Sequence, residues 1–129
     1  DNANLRLTRE QVGRLLSDDN GDPLQGHAIG LMHHPFSCLI ESESQAMPAL
    51  MSRLGLGLLM HGHLHDLRLS RWSDPDHGLH VSSAGSQYQR NDLPNTIHLL
   101  DLELPARAPL RPVKLWVRAW DGDGGHWYS

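Results

Sequence analysis

The fold of this chain is decided by a short apolar run that ends abruptly in histidines, Leu56-Gly57-Leu58-Leu59-Met60-His61-Gly62-His63-Leu64-His65. An earlier segment has the same design, His27-Ala28-Ile29-Gly30-Leu31-Met32-His33-His34-Pro35. Short apolar runs bounded by turn residues are typical of buried strands. Pro35 has no backbone N–H to donate to a sheet, so the first strand should end before it. We therefore predict two buried strands, each followed by a histidine-bearing loop.

Two helices are predicted around these strands. Thr8 and Gln11 have the spacing of a capping box, and the helix that they begin should end near Ser17. A second helix is predicted from Ser44 to Leu54, because its apolar residues share one face and a glycine follows as a stop. Pro48 should then lie in the first turn of this helix, where its missing N–H does no harm.

Beyond His65 the sequence changes to an alternation of apolar and polar residues, which is typical of strands with one exposed face. Four such strands are predicted, Leu67 to Trp72, Leu79 to Ser83, Thr96 to Leu104 and Val113 to Trp120. The order of the elements predicts an α/β (mixed) fold, in which a mixed β-sheet carries the two helices on one face.

Composition and charge limit the classes of protein to which the chain can belong. Its 129 residues are enough for one domain with a core. The net charge is −4 and no basic run is present, so a nucleic-acid ligand is possible but unsupported. Cys38 is the only cysteine, which rules out an intrachain disulfide. Because there is no signal-peptide pattern and no apolar run long enough to span a bilayer, we expect a cytoplasmic protein with no membrane association.

The chain contains 10 histidines, and several follow the two predicted strands closely. Ligands of open α/β sheets collect beyond the carboxyl ends of the strands, so neighbouring strands would bring His33, His63 and His65 to one edge. Residues two apart in an extended segment point the same way, which lets His63 and His65 address one metal or two adjacent metals. Gly62 should occupy a conformation or a crowded position that a larger residue resists. Asp66 is a candidate for fixing the tautomer of an imidazole.

The two histidine segments resemble the last two motifs of the calcineurin-like metallophosphoesterases, Gly30-Leu31-Met32-His33-His34-Pro35 and His61-Gly62-His63-Leu64-His65. Two later segments are similar to strands that follow in members of that family, His80-Val81-Ser82-Ser83-Ala84-Gly85-Ser86 and Thr96-Ile97-His98-Leu99-Leu100-Asp101-Leu102. The resemblance covers about residues 7 to 104. It implies that residues 1–129 form a single domain, the second half of an αββα metallophosphoesterase sandwich.

The resemblance also implies a role for each histidine of the two motifs. His33 and His63 would bind one of two divalent metal ions (manganese, iron, zinc or similar), and His65 would bind the other. His34 matches a variable position of the family, so it is expected to line the substrate pocket. His61 would support the ligands from behind or be structural.

The chain departs from the family because its earlier motifs are absent. No Asp-x-His and no Gly-Asn-His occurs in the sequence. The two Gly-Asp pairs, Gly21-Asp22 and Gly122-Asp123, do not follow a buried strand, so neither is assigned the metal-bridging role. No catalytic residue is therefore assigned within the chain. Arg90 lies in a loop near the expected site and could meet a phosphate, although a solvated arginine is the simpler interpretation.

The function implied by the resemblance is the metal-dependent hydrolysis of phosphate mono- or diesters, at a two-metal site to which this chain supplies the C-terminal histidine ligands. The partners would be a phosphate-ester substrate and either a missing N-terminal half or a second copy of the chain, covering exposed apolar surface. The isolated chain should be inactive or nearly so, because the bridging carboxylate is missing. The alternative is a non-catalytic metal-binding or protein-interaction domain derived from the same fold. Asp-x-His and Gly-Asn-His-Asp/Glu motifs encoded upstream of Asp1 would favour the enzyme.

Overall fold

The computed structural model of the chain describes residues 4–64, 67–85 and 95–129. Within these ranges there are two α-helices, one short 3-10 helix and seven strands. They are α1 (Arg9–Leu15), β1 (Ala28–Met32), the 3-10 helix (Phe36–Cys38), α2 (Glu41–Arg53), β2 (Leu56–His61), β3 (Arg68–Ser73), β4 (Gly78–Ser83), β5 (Thr96–Glu103), β6 (Arg111–Asp121) and β7 (His126–Tyr128). The predicted mixed α/β class is confirmed.

Four of the strands form a mixed sheet in the order β1-β2-β4-β3. β1 and β4 both run parallel to β2, whereas β3 runs antiparallel to β4. The register pairs Met32 with His61 and His61 with Ser83. The carboxyl ends of the three parallel strands therefore lie side by side, which brings the turns after β1 and β2 together.

The other three strands form a separate antiparallel sheet in the order β5-β6-β7. The single mixed sheet expected from the sequence is wrong in this respect, because an alternating pattern identifies a strand but not the strand with which it pairs. β7 was not predicted. The chain returns to form it because Asp121 Oδ1 accepts hydrogen bonds from the backbone N–H groups of Asp123 and Gly124, both at 3.0 Å. Gly125 completes the turn with a φ of 64°.

Both helices share one hydrophobic core with the mixed sheet. The buried residues of this core are Val12, Leu39, Met47, Met51, Leu56, Leu59 and Leu79. Full burial of a side chain of this size is worth about 1.5–3 kcal/mol, so these residues fix the helices against the sheet. The capping box of α1 forms as predicted, since Gln11 N–H donates to Thr8 Oγ1 at 3.2 Å and Thr8 N–H donates to Gln11 Oε1 at 2.8 Å.

The second helix differs from its prediction at its amino end. It begins at Glu41 rather than Ser44, so Pro48 lies in the helix interior and not in the first turn. An interior proline costs about 3 kcal/mol because it removes a hydrogen bond and crowds the preceding turn. Met47 and Met51 are only 1% and 6% exposed. Burial of these two side chains is of similar or larger size and offsets the cost.

Gly57 on β2 allows the chain before β6 to approach the mixed sheet closely. A Cβ atom at Gly57 would overlap the backbone carbonyl oxygen of Leu110, whose own side chain is buried. The second face of β1, in contrast, is open. Leu31 is 78% exposed and Ile29 is 45% exposed on that face. Neither described helix is long and apolar enough to cross a membrane.

Candidate metal centre

A backbone hydrogen bond joins the histidine-bearing turns that follow β1 and β2. Directly beyond the paired residues Met32 and His61, the N–H of Gly62 donates to the carbonyl oxygen of His33 at 3.1 Å. On the other side of β2, the N–H of Ala84 donates to the carbonyl oxygen of His61 at 2.8 Å. The backbone hydrogen bonding of the sheet thus continues one residue beyond the strands. It fixes the position at which the histidine-bearing turns leave the sheet.

The backbone at His63 is held in an unfavourable conformation. His63 has a φ of 70°, the one positive φ at a non-glycine residue in the described part of the chain. Leu64 N–H donates to the carbonyl oxygen of Gly62 at 2.9 Å, so His63 is the central residue of a γ-turn with positive φ, a rare and strained type. Conformations of this kind cost about 1–3 kcal/mol and are concentrated at functional sites.

The expectation for Gly62 is wrong. Its φ does not lie in the left-handed region, where the positive value falls one residue later, at His63. A Cβ atom at Gly62 would lie 3.8 Å from both the Nδ1 atom and the carbonyl oxygen of His33, which is an ordinary van der Waals contact. His63 therefore carries the strained conformation of the turn, and the turn does not require a glycine at position 62.

Three imidazoles meet above these turns. The ring centroids of His33 and His63 are 5.4 Å apart, those of His33 and His34 are 4.7 Å apart, and those of His34 and His63 are 4.4 Å apart. One ring nitrogen from each residue lies within 4.8 Å of the others. His33 is exposed, whereas His34 and His63 are partly buried. We call His33, His34 and His63 the histidine cluster.

The structure brings together His33 and His63, as their positions after neighbouring strands predict, and it adds His34. In an extended strand His33 and His34 would point to opposite faces. The chain instead bends at both residues before Pro35, so the two rings stand on the same side. The only sequence signal for this was Pro35 itself, which ends the strand and allows the bend.

The electrostatic environment of the cluster favours the neutral form of His34. Partial desolvation lowers the pKa of His34, and repulsion from the imidazoles of His63 and His33 lowers it further. A neutral imidazole is the form that binds a metal, because protonation occupies the lone pair. In a tetrahedral zinc site with bonds of 2.0–2.1 Å, ligand nitrogens lie about 3.3 Å apart. The nitrogens of the cluster lie within 4.8 Å of one another and would have to move closer to reach that spacing.

His61 is buried and does not belong to the cluster. Its Nδ1 lies 3.1 Å from the carbonyl oxygen of Gly62, so Nδ1–H is the donor and the ring braces the turn that carries His63. His65, Asp66 and Arg90, which were expected at the site, lie outside the described residues. In the described part of the chain, the group that could hold a metal therefore contains imidazoles and no carboxylate.

A cavity of about 390 Å³ adjoins the cluster at the carboxyl ends of β1 and β2. Its lining residues are Leu31, Met32, His33, Met60, His61 and Ala84. It is mostly apolar and connects His33 with the exposed side chain of Leu31. Comparisons with family models, with curated proteins and with solved structures gave no match to this chain.

Proposed function

We propose that this chain supplies the C-terminal histidine ligands of a two-metal phosphoesterase, a cytoplasmic enzyme that hydrolyses phosphate mono- or diesters. The observation that carries the proposal is the meeting of His33 and His63 at the carboxyl ends of adjacent parallel strands, held by the hydrogen bond from Gly62. The motifs in which these residues stand resemble the last two of the calcineurin-like metallophosphoesterases. The mixed sheet with both helices in one core is compatible with the second half of an αββα sandwich.

In this proposal His33 and His63 hold one divalent ion and His65 holds the other. When bound, such ions lower the pKa of a water molecule and offset the charge of the phosphate oxygens. The chain's own contribution is positional. The γ-turn at His63 and the brace from His61 fix where the imidazoles stand, so that the ligands need little reorganisation on binding.

The proposal includes a partner that completes the site. A catalytic ion usually has about three protein ligands and an open position, and the proposed assignment gives two imidazoles to one ion and one to the other. The open face of β1 lies next to the cluster, with Leu31 at 78% exposure. Apolar surface beside an incomplete site favours a covering element, either an N-terminal half that carries the earlier motifs or a second copy of the chain.

One observation favours the second candidate, a non-catalytic metal-binding or protein-interaction domain. The metal-capable group in the described residues consists of histidines alone, with no carboxylate that could bridge two ions. A site of this kind binds a metal without supplying phosphoester chemistry. The two candidates differ in whether a carboxylate-bearing segment joins the cluster.

The test is turnover by the longest polypeptide that the gene encodes. With Mn²⁺ or Zn²⁺ added, it should hydrolyse p-nitrophenyl phosphate or bis(p-nitrophenyl) phosphate, and His63→Ala should reduce kcat/KM by at least about 100-fold. His27→Ala is the matched control, because His27 is exposed and lies at the opposite end of β1 from His33. The isolated chain should show little or no turnover. Absence of turnover in the longest polypeptide with metal bound would favour the non-catalytic candidate.

A further inference from the structure

We propose that His34 is a metal ligand, and that residues 1–129 alone bind a single zinc-like ion through His33, His34 and His63. The phosphoesterase proposal gives His34 no ligand role, and the three-imidazole site does not depend on that reaction. Both proposals use His33 and His63, but only this one requires His34.

The first support is convergence from two separate segments. His33 and His34 follow β1, and His63 follows β2, yet one nitrogen of each ring lies within 4.8 Å of the other two. The closest pair of rings is His34 with His63, at 4.4 Å between centroids, which is shorter than the 5.4 Å between His33 and His63. The ring that the family resemblance leaves out is therefore the one nearest to His63.

The second support is that the backbone is already arranged for this convergence. The hydrogen bond from Gly62 N–H to the His33 carbonyl oxygen ties the two segments together at 3.1 Å. The positive φ of His63 is maintained by the Leu64–Gly62 hydrogen bond, and it sends the His63 side chain toward the other two rings. Rings that are held in place before the ion arrives lose less freedom on binding.

The third support is the chemistry of the donor set. Neutral imidazoles suit zinc, copper, nickel and cobalt, whereas magnesium and calcium take oxygen ligands. Three histidines and an open fourth position form one of the known arrangements of zinc in proteins. His33 is exposed, so the fourth position would face solvent and accept a water molecule or an anionic oxygen.

Packing of three rings without any metal is the competing explanation, and zinc titration of the isolated chain separates the two. Calorimetry with Zn²⁺ should give one ion per chain. His34→Ala should weaken binding by at least about 100-fold, since even residues behind a metal ligand change affinity by about 10–100-fold. His27→Ala should bind zinc like the wild type, and circular dichroism should show all three proteins folded.

A second measurement tests the geometry of the ion. Co²⁺ bound to the isolated chain should give the intense visible absorption of a four-coordinate site, and His34→Ala should lose that absorption. Binding without loss in His34→Ala, two ions per chain, or no binding would each overturn the inference. Phosphoesterase turnover is measured separately, because it tests the proposed function. Turnover in the longest polypeptide together with unchanged zinc binding by His34→Ala would overturn this inference and leave the proposed function standing.

Discussion

The backbone N–H of Gly62 donates to the carbonyl oxygen of His33 at 3.1 Å, and this bond joins two segments that are about 30 residues apart in the sequence. It uses the main chain of Gly62 and leaves the α-carbon in ordinary surroundings. The tolerance of this position can therefore be tested separately from the hydrogen bond.

We expect Gly62→Ala to fold and to bind zinc like the wild type. Its Cβ would make van der Waals contacts at 3.8 Å with His33, and its φ is not left-handed, so the change in free energy of unfolding should stay within about 0.5 kcal/mol. Gly57→Ala, within β2, is the contrasting variant. Its Cβ would overlap the carbonyl oxygen of Leu110, and we expect a loss of about 1–3 kcal/mol. Urea unfolding measures both; equal losses would contradict the geometry of β2.

The strain at His63 predicts an inverted order of stability for two substitutions. At an ordinary position glycine is less stable than alanine by about 0.5–1 kcal/mol. At His63, with a φ of 70°, glycine relieves the strain and alanine retains it. We expect His63→Gly to exceed His63→Ala by about 1 kcal/mol in free energy of unfolding. Both variants remove the same imidazole, and they differ from each other only by the β-methyl group. The opposite order would show that the γ-turn is not populated.

The partly buried ring of His98 should make the stability of the fold sensitive to acid. Burial lowers the pKa of His98, and its Nε2 has no hydrogen-bond partner in the described ranges. Because the folded pKa is below the unfolded one, the unfolded state binds more protons, and stability is lost as the pH falls below about 6.5 toward the folded pKa. Burial and the charges of Arg71 and Arg111 also lower the pKa of His80, although a backbone hydrogen bond with Gly57 opposes this, so His80 should add to the effect.

The measurement is the midpoint of urea unfolding between about pH 7.5 and pH 5, the range in which histidines titrate. The midpoint of the wild type should fall with pH. His98→Leu should show a shallower fall, because it removes the titrating ring and its unpaired nitrogen. His27→Leu serves as the control at an exposed histidine and should follow the wild type. A wild-type midpoint that does not change over this range would contradict the prediction.

The open face of β1 predicts association of the isolated chain. Leu31 is 78% exposed, and its strand β1 lies at the edge of the described mixed sheet. Among the described residues, no element covers the outer backbone edge of β1 or its open apolar face. We expect concentration-dependent self-association, which Leu31→Glu should shift toward monomer in analytical ultracentrifugation. Leu104→Glu is the control, because Leu104 is also exposed, at 59%, but lies after β5. A wild type that stays monomeric at every concentration would contradict the need for a covering partner.

Much of the fold can be predicted from short-range patterns in the sequence. Pro35 ends β1, the Thr8–Gln11 pair starts α1, and alternation locates β3 through β6 to within a few residues. These features depend on backbone chemistry within a few residues, which is why they can be predicted. Pairing depends on contacts between distant segments. The sequence therefore does not predict the division into two sheets. It also does not predict that α2 begins early enough to place Pro48 in its interior.

The candidate site was predictable in position but not in full composition. The register of β1 with β2 brings His33 near His63, as two neighbouring parallel strands require. The part played by His34 depends on a bend at two residues, and the strain depends on a γ-turn that falls at His63 rather than Gly62. Neither follows from the spacing of the histidines. The bend lies directly before Pro35, and the γ-turn is closed by the hydrogen bond from Leu64 N–H to the carbonyl oxygen of Gly62.

Because β1 and β2 pair in parallel, an ion bound beyond the ends of both strands would also stabilise the fold. An ion that joins His33 to His63 closes a loop of about 30 residues that contains all of α2. A cross-link that stayed in place in the unfolded chain around a loop of that length would reduce its entropy by an amount worth about 3–4 kcal/mol. With Cys38 as its only cysteine, the chain has no covalent means of making such a link within itself. The metal would act as a reversible cross-link between the two turns, one that a chelator removes.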